Sequence, residues 1–179
     1  MVAPAIALSI MWVLNALTGS VVGLSHPFMI AQQDYSSLQV PLTLAVGLTF
    51  LYWLRFRVPF AMALLALGAF AVATLFAAMQ SGSPASPEEF FILSAGGPFA
   101  WITLAVGAVV FVAAMAFDMS DPHRVSLKSA NGFWLHVIAA PALVNTVSLT
   151  LLAKETLEAQ ITLALFLALI ALVAIIIDR

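Results

Sequence analysis

Cysteine is missing from this chain, which excludes disulfides, thiolate metal sites and thiol nucleophiles at one stroke. Charge is almost as scarce. Six Lys and Arg with eight Asp and Glu make up 8% of 179 residues, too little to give a soluble domain of this size a solvated surface. A net charge of −2 offers nucleic acid no basic footprint. Alternation of polar and apolar residues is lacking too. The apolar runs are continuous and filled by Ala, Leu and Met, which excludes the pattern of a membrane β-barrel.

Long hydrophobic runs take the place of all this. Hydrophobic residues make up 64% of the chain, and the mean hydropathy is +1.13. Six stretches, residues 4–24, 38–54, 58–79, 98–117, 131–153 and 157–177, sit at or near the ~20 residues a helix needs to cross ~30 Å of hydrocarbon. Lipid leaves no water for backbone N–H and C=O groups, so such stretches must be helices. The prediction is an all-α polytopic membrane helix bundle of about six transmembrane helices, forming a single transmembrane domain over residues 1–179. The first stretch has no basic n-region and no A-x-A site, and reads as a retained helix instead of a signal peptide.

Six alternating spans put Arg55, Arg57, Arg124, Lys128 and Arg179 on one side, and of the basic residues only Lys154 on the other. The positive-inside rule then predicts that both termini are cytoplasmic. Tyr52, Trp53, Trp101 and Trp134 fall at span ends, where amphipathic rings favour the interface. Trp12 falls inside the first span, where packing against another helix is the simpler role.

The link Arg55-Phe56-Arg57-Val58-Pro59 is so short that the second and third spans must form an antiparallel hairpin, with Pro59 suited to a first helical turn. Gln80 to Glu89 is the one loop evident from composition. Within it, Ser86-Pro87-Glu88-Glu89 resembles the start of a short interfacial helix that breaks at Gly96-Gly97-Pro98. Small residues mark candidate helix contacts: Gly19 and Gly23 in a G-x-x-x-G, and Ala69, Ala73 and Ala77 at i+4 spacing beside Gly68. Such rows serve intrachain packing, subunit contact or neither.

A polar side chain at membrane depth is a functional candidate by default. The first span offers Asn15, Thr18 and Ser20; the fifth offers His136, Asn145, Thr146 and Ser148. No Asp, Glu, Lys or Arg lies well inside any predicted span, which disfavours proton coupling through a buried carboxylate, a voltage sensor or a retinal-type lysine. His136 could donate one hydrogen bond to a neighbouring helix, contact a solute, or ligate a metal or haem; the first role asks least of the sequence. A haem held by His26 and His136 fails, because the two lie near opposite membrane faces. Asn145, nine residues beyond His136, is turned to the opposite side of a straight helix, with Pro141 between them as a source of a bend. In the loop, Asp118, Asp121 and His123 could approach a metal. A turn at Asp121-Pro122, with Arg124 and Lys128 anchored to anionic headgroups, explains the same residues without one.

The segment Ala116 to Arg124, followed by Ser129-Ala130-Asn131-Gly132-Phe133-Trp134-Leu135-His136 and Ala139-Ala140-Pro141, resembles part of a family of functionally unassigned multi-pass bacterial inner-membrane proteins. The resemblance implies no activity, ligand or catalytic residue. It does imply longer relatives, and the end at Ile175-Ile176-Ile177-Asp178-Arg179 fits either a stop at the cytoplasmic surface or a truncation of a larger product.

Two functions fit these residues. One is a non-enzymatic structural or accessory subunit, with lipid around it, packing through its small-residue faces into a homo-oligomer or a larger membrane complex. The other is a channel or transporter for a small solute, lined by Asn15, Thr18, His136 and Asn145. An enzyme is disfavoured, since no nucleophile and base pair can be assembled, and neither a cofactor nor a metal is called for.

Overall fold

A computed structural model describes residues 36–82, 87–95, 97–123 and 125–177. Among them all regular structure is helical: α1 (Ser36–Phe56), α2 (Phe60–Ser81), α3 (Phe99–Met119), α4 (Leu127–Leu152) and α5 (Leu157–Ile177), with two 3-10 turns, Pro87–Phe90 and Leu93–Ala95, before α3. Four helices, α1 to α4, are long and apolar enough to cross a membrane; α5 contributes a shorter apolar segment, Leu157–Leu172. The structure therefore accounts for four of the six predicted spans at spanning length. The first, residues 4–24, lies outside the described residues.

Each boundary has a local cause. α1 ends where Arg57 turns to φ 54° and its N–H donates to Trp53 O at 2.7 Å, the single-bond left-handed cap. A residue with a Cβ pays about 1–2 kcal/mol for that conformation. α2 follows directly from Pro59, at φ −60° and ψ −38°. The segment after Pro87 forms 3-10 turns in place of the expected helix, and it is tied to α4 because Leu93 N–H donates to Thr150 Oγ1 at 3.0 Å. α4 starts four residues earlier than hydropathy suggests, since Ser126 caps it by accepting the Lys128 N–H at 3.2 Å. Thr156 does the same for α5, accepting the Ala159 N–H at 3.3 Å.

Small residues let the helices approach. The core joins Ala61, Ala66, Ala114 and Ala139 to Trp53, Met62, Val110 and Leu135, and a second cluster sets Ala77 and Ala78 against Phe99. Lipid tails are as apolar as leucine, so close packing of short side chains must supply the cohesion that hydrophobicity supplies in water. Close approach is tightest at glycines. A Cβ on Gly68 would lie 2.5 Å from Val46 Cγ2, and one on Gly107 would lie 3.1 Å from Leu143 Cδ2. Hydroxyls inside the helices mostly bond backward to the carbonyl four residues earlier: Thr49 to Ala45, Thr74 to Phe70, Thr146 to Ala142 and Thr162 to Glu158.

The antiparallel run brings the α1–α2 turn and the α3–α4 loop to one end of the bundle. Trp53 meets Phe117 edge-on at 6.3 Å and Phe60 meets Trp134 at 4.9 Å there. The 3-10 turns and the α4–α5 link lie at the other end, joined through Thr150.

Candidate functional site

Asp118 occupies the last turn of α3 instead of a loop. Its Oδ2 lies 2.9 Å from His136 Nε2, nine residues into α4, and the two side chains are 31% and 27% exposed. Asp118 thus stands at the end of a span and not well inside it: the apolar run stops before Asp118, but the helix does not. An acid at a helix C-terminus faces the negative end of the helix dipole, and an imidazole N–H directed at the carboxylate offsets that penalty.

The pair has room because residue 132 is glycine. A Cβ there would lie 2.5 Å from Asp118 Oδ1 and 3.2 Å from Ala114 O. The Phe111 ring stands edge-on to the imidazole at 5.2 Å. Asp118 and His136 open onto a hollow of about 360 Å³ shared with Ser129, Ala130 and Phe133. Such an arrangement can hold a helix register and exchange a proton between two atoms. The Ser129 hydroxyl on the same hollow donates to Ser126 O at 2.9 Å.

One turn away, Trp53 is buried at 8% exposure, and its indole N–H points at Asn131 Oδ1 at 3.5 Å. The Trp53 ring thus joins α1 to α4, while Trp101, at 61% exposure, faces outward. In the α3–α4 loop, Asp121 accepts hydrogen bonds from the Ser126 hydroxyl at 2.7 Å and the Ser126 N–H at 2.8 Å. Those bonds, the hydroxyl foremost, hold its carboxyl below the usual carboxylate range. Asp118 and Asp121 are therefore committed to different partners, and among the described residues no three His, Asp or Glu side chains gather as metal ligands.

The other predicted residues are dispersed. Asn145 lines a separate hollow of about 420 Å³ with Leu67, Phe70, Phe91, Ile138 and Pro141, so the structure does not bring it together with His136. Ala77 is buried, while Ala69 and Ala73 are half-buried along a groove between α1, α2 and α3; the close contact of that row is made next door, by Gly68. Asn15, Thr18, Gly19 and Gly23 lie outside the described residues.

No protein-family model, curated protein or solved structure matches this chain. The chemistry of the site must then be judged on its own geometry. Sequence reasoning missed Asp118 as a helix residue and Asn131 as a partner of Trp53. The available signals were the N-cap at Ser126, which moves α4 back to Leu127, and Gly132, a glycine inside a helix that lets a neighbour approach.

Proposed function

We propose that this chain is a non-enzymatic integral membrane protein with a structural or accessory role, one that packs in lipid against a second copy or a larger membrane complex. A bacterial inner membrane with both termini cytoplasmic is the setting this reading assigns to it. One observation carries it: most polar groups within the helices, Asn145 excepted, are engaged inside the chain. Asp118 meets His136, Trp53 meets Asn131, and hydroxyls bond to their own helices; of the buried side-chain polar atoms among the described residues, Ser148 Oγ alone has no partner. A permeation path instead needs polar groups that converge on one opening, and His136 and Asn145 line different hollows.

The test is reconstitution of the full chain in liposomes with His136→Leu and His136→Gln beside the parent. The structural role predicts no solute flux in the parent, a lower melting temperature for the Leu variant and near-parental melting for Gln. Flux in the parent that the Leu variant abolishes without loss of melting temperature overturns it. Single cysteines at Ser83 and Ser126 should label from opposite sides, Ser126 from the cytoplasmic one.

A further inference from the structure

At the α1–α2 turn an arginine holds a backbone conformation that ordinarily selects glycine. Arg57 stands at φ 54°, where glycine has no Cβ to clash and asparagine is tolerated through local hydrogen bonding of its short side chain. An outlier of this kind points to a side chain that the position requires. The surroundings show how that side chain is held. Its guanidinium carbon lies 5.3 Å from the centroid of the Trp53 ring, and its Nε donates to Leu54 O at 3.3 Å. Trp53 is in turn fixed from the bundle side by Phe117 and Asn131.

One face and one donor of the guanidinium are thus occupied, while its two terminal amino groups form no hydrogen bond within the described residues. No carboxylate pairs with it among the described residues either. Arg55, two residues earlier, is also exposed, with its guanidinium 5.4 Å from the Phe56 ring. Exposed Phe56, Val58 and Phe60 flank both cations. A held fork with no ion-pair partner among the described residues, at the end of two apolar helices and flanked by exposed hydrophobic side chains, has the chemistry of the headgroup boundary.

We propose that Arg57, with Arg55 beside it, binds the phosphodiester of an anionic phospholipid. The free edge of the Arg57 guanidinium takes two phosphate oxygens, and Phe56, Val58 and Phe60 lie along the upper acyl chain. This differs from general charge asymmetry in assigning most of the recognition to one oriented side chain.

The experiment is native mass spectrometry of the full chain released from nanodiscs containing phosphatidylcholine and phosphatidylglycerol, with Arg57→Gly, Arg57→Lys and Arg55→Ala beside the parent. The parent should retain phosphatidylglycerol preferentially. Arg57→Gly should lose about fivefold of that preference, the effect of roughly one surface cation, while melting no lower than the parent because glycine suits the left-handed turn. Arg57→Lys should keep an intermediate preference, having the charge without the fork. If Arg57→Gly melts lower, Arg57→Asn, which also tolerates this backbone, serves as the same test. Unchanged preference in a folded Arg57→Gly or Arg57→Asn variant overturns the proposal. So does equal loss in Arg55→Ala and Arg57→Gly combined with complete loss in the parent at about 1 M salt, where the Debye length is ~3 Å, since that pattern means diffuse attraction only.

Discussion

Helices α4 and α5 follow one another in the chain, and the more apolar of the two is the less buried. α5 is Leu and Ala over most of its length, yet Ala159 is its one buried residue among those whose side chains are described. Leu157, Ile161, Leu165, Leu169 and Leu172 all face outward. α4 carries His136, Asn131, Asn145 and a proline, and it buries Asn131, Gly132, Leu135, Ala139 and Thr146. Apolarity fits a segment for hydrocarbon and gives it no preference for protein over lipid. Helix pairing comes instead from glycine, alanine and the few polar groups that require each other.

That contrast can be broken most severely at Gly132. Gly132→Ala places a Cβ against Asp118 Oδ1 and Ala114 O and should destabilise the bundle by about 1–3 kcal/mol, the ordinary cost of overpacking. Thermal melting in detergent measures it, and a melting temperature equal to the parent's would mean that α3 and α4 are not pinned there.

Next comes the polar pair. His136→Leu should cost about 0.6–2 kcal/mol, the range for polar contacts between membrane helices. His136→Leu with Asp118→Asn should cost less than the sum of the two, because each single change leaves the other partner stranded. An additive double variant would show that the two side chains do not act together.

A smaller, pH-dependent effect belongs to the loop joining α3 and α4. Asp121 has a folded-state value lowered by Ser126, so its contribution is complete above the unfolded carboxylate value of ~3.9. It is lost as pH falls through the lower folded value. Melting of the parent should therefore drop more steeply than that of Asp121→Asn below about pH 5. Parallel curves would remove this role.

The smallest effect is expected on α5. Leu165→Ala, at a side chain 67% exposed, should change stability by less than about 0.5 kcal/mol. A larger loss would reveal a partner on that face and would weaken the contrast with α4.

The spanning elements were readable from sequence because lipid imposes one rule on every residue of a span. The expected stretches 38–54, 58–79 and 98–117 became Ser36–Phe56, Phe60–Ser81 and Phe99–Met119. The polar ends escaped that rule. Leu127 to Ala130 read as loop because hydropathy does not register an N-cap, and Asp118 read as loop because its charge ended the apolar run. The site depends on both, since the partner of Asp118 lies 18 residues further on. Position along the chain places Trp53 at a span end, while the direction of its indole depends on where Asn131 arrives.

The backward hydrogen bonds of the threonines bear on how the protein is made. A helix whose hydroxyls are satisfied by its own carbonyls, as Thr49 and Thr74 are, can leave the translocon alone and wait in the bilayer for its neighbours. α3 and α4 are placed differently, because the carboxylate of Asp118 and the imidazole of His136 find each other only across the two helices. Entering singly, α4 would carry the imidazole of His136 into lipid without its partner, which waits at the end of α3. Biogenesis should therefore admit the α1–α2 hairpin without a later segment and α3 with α4 as one inserted unit.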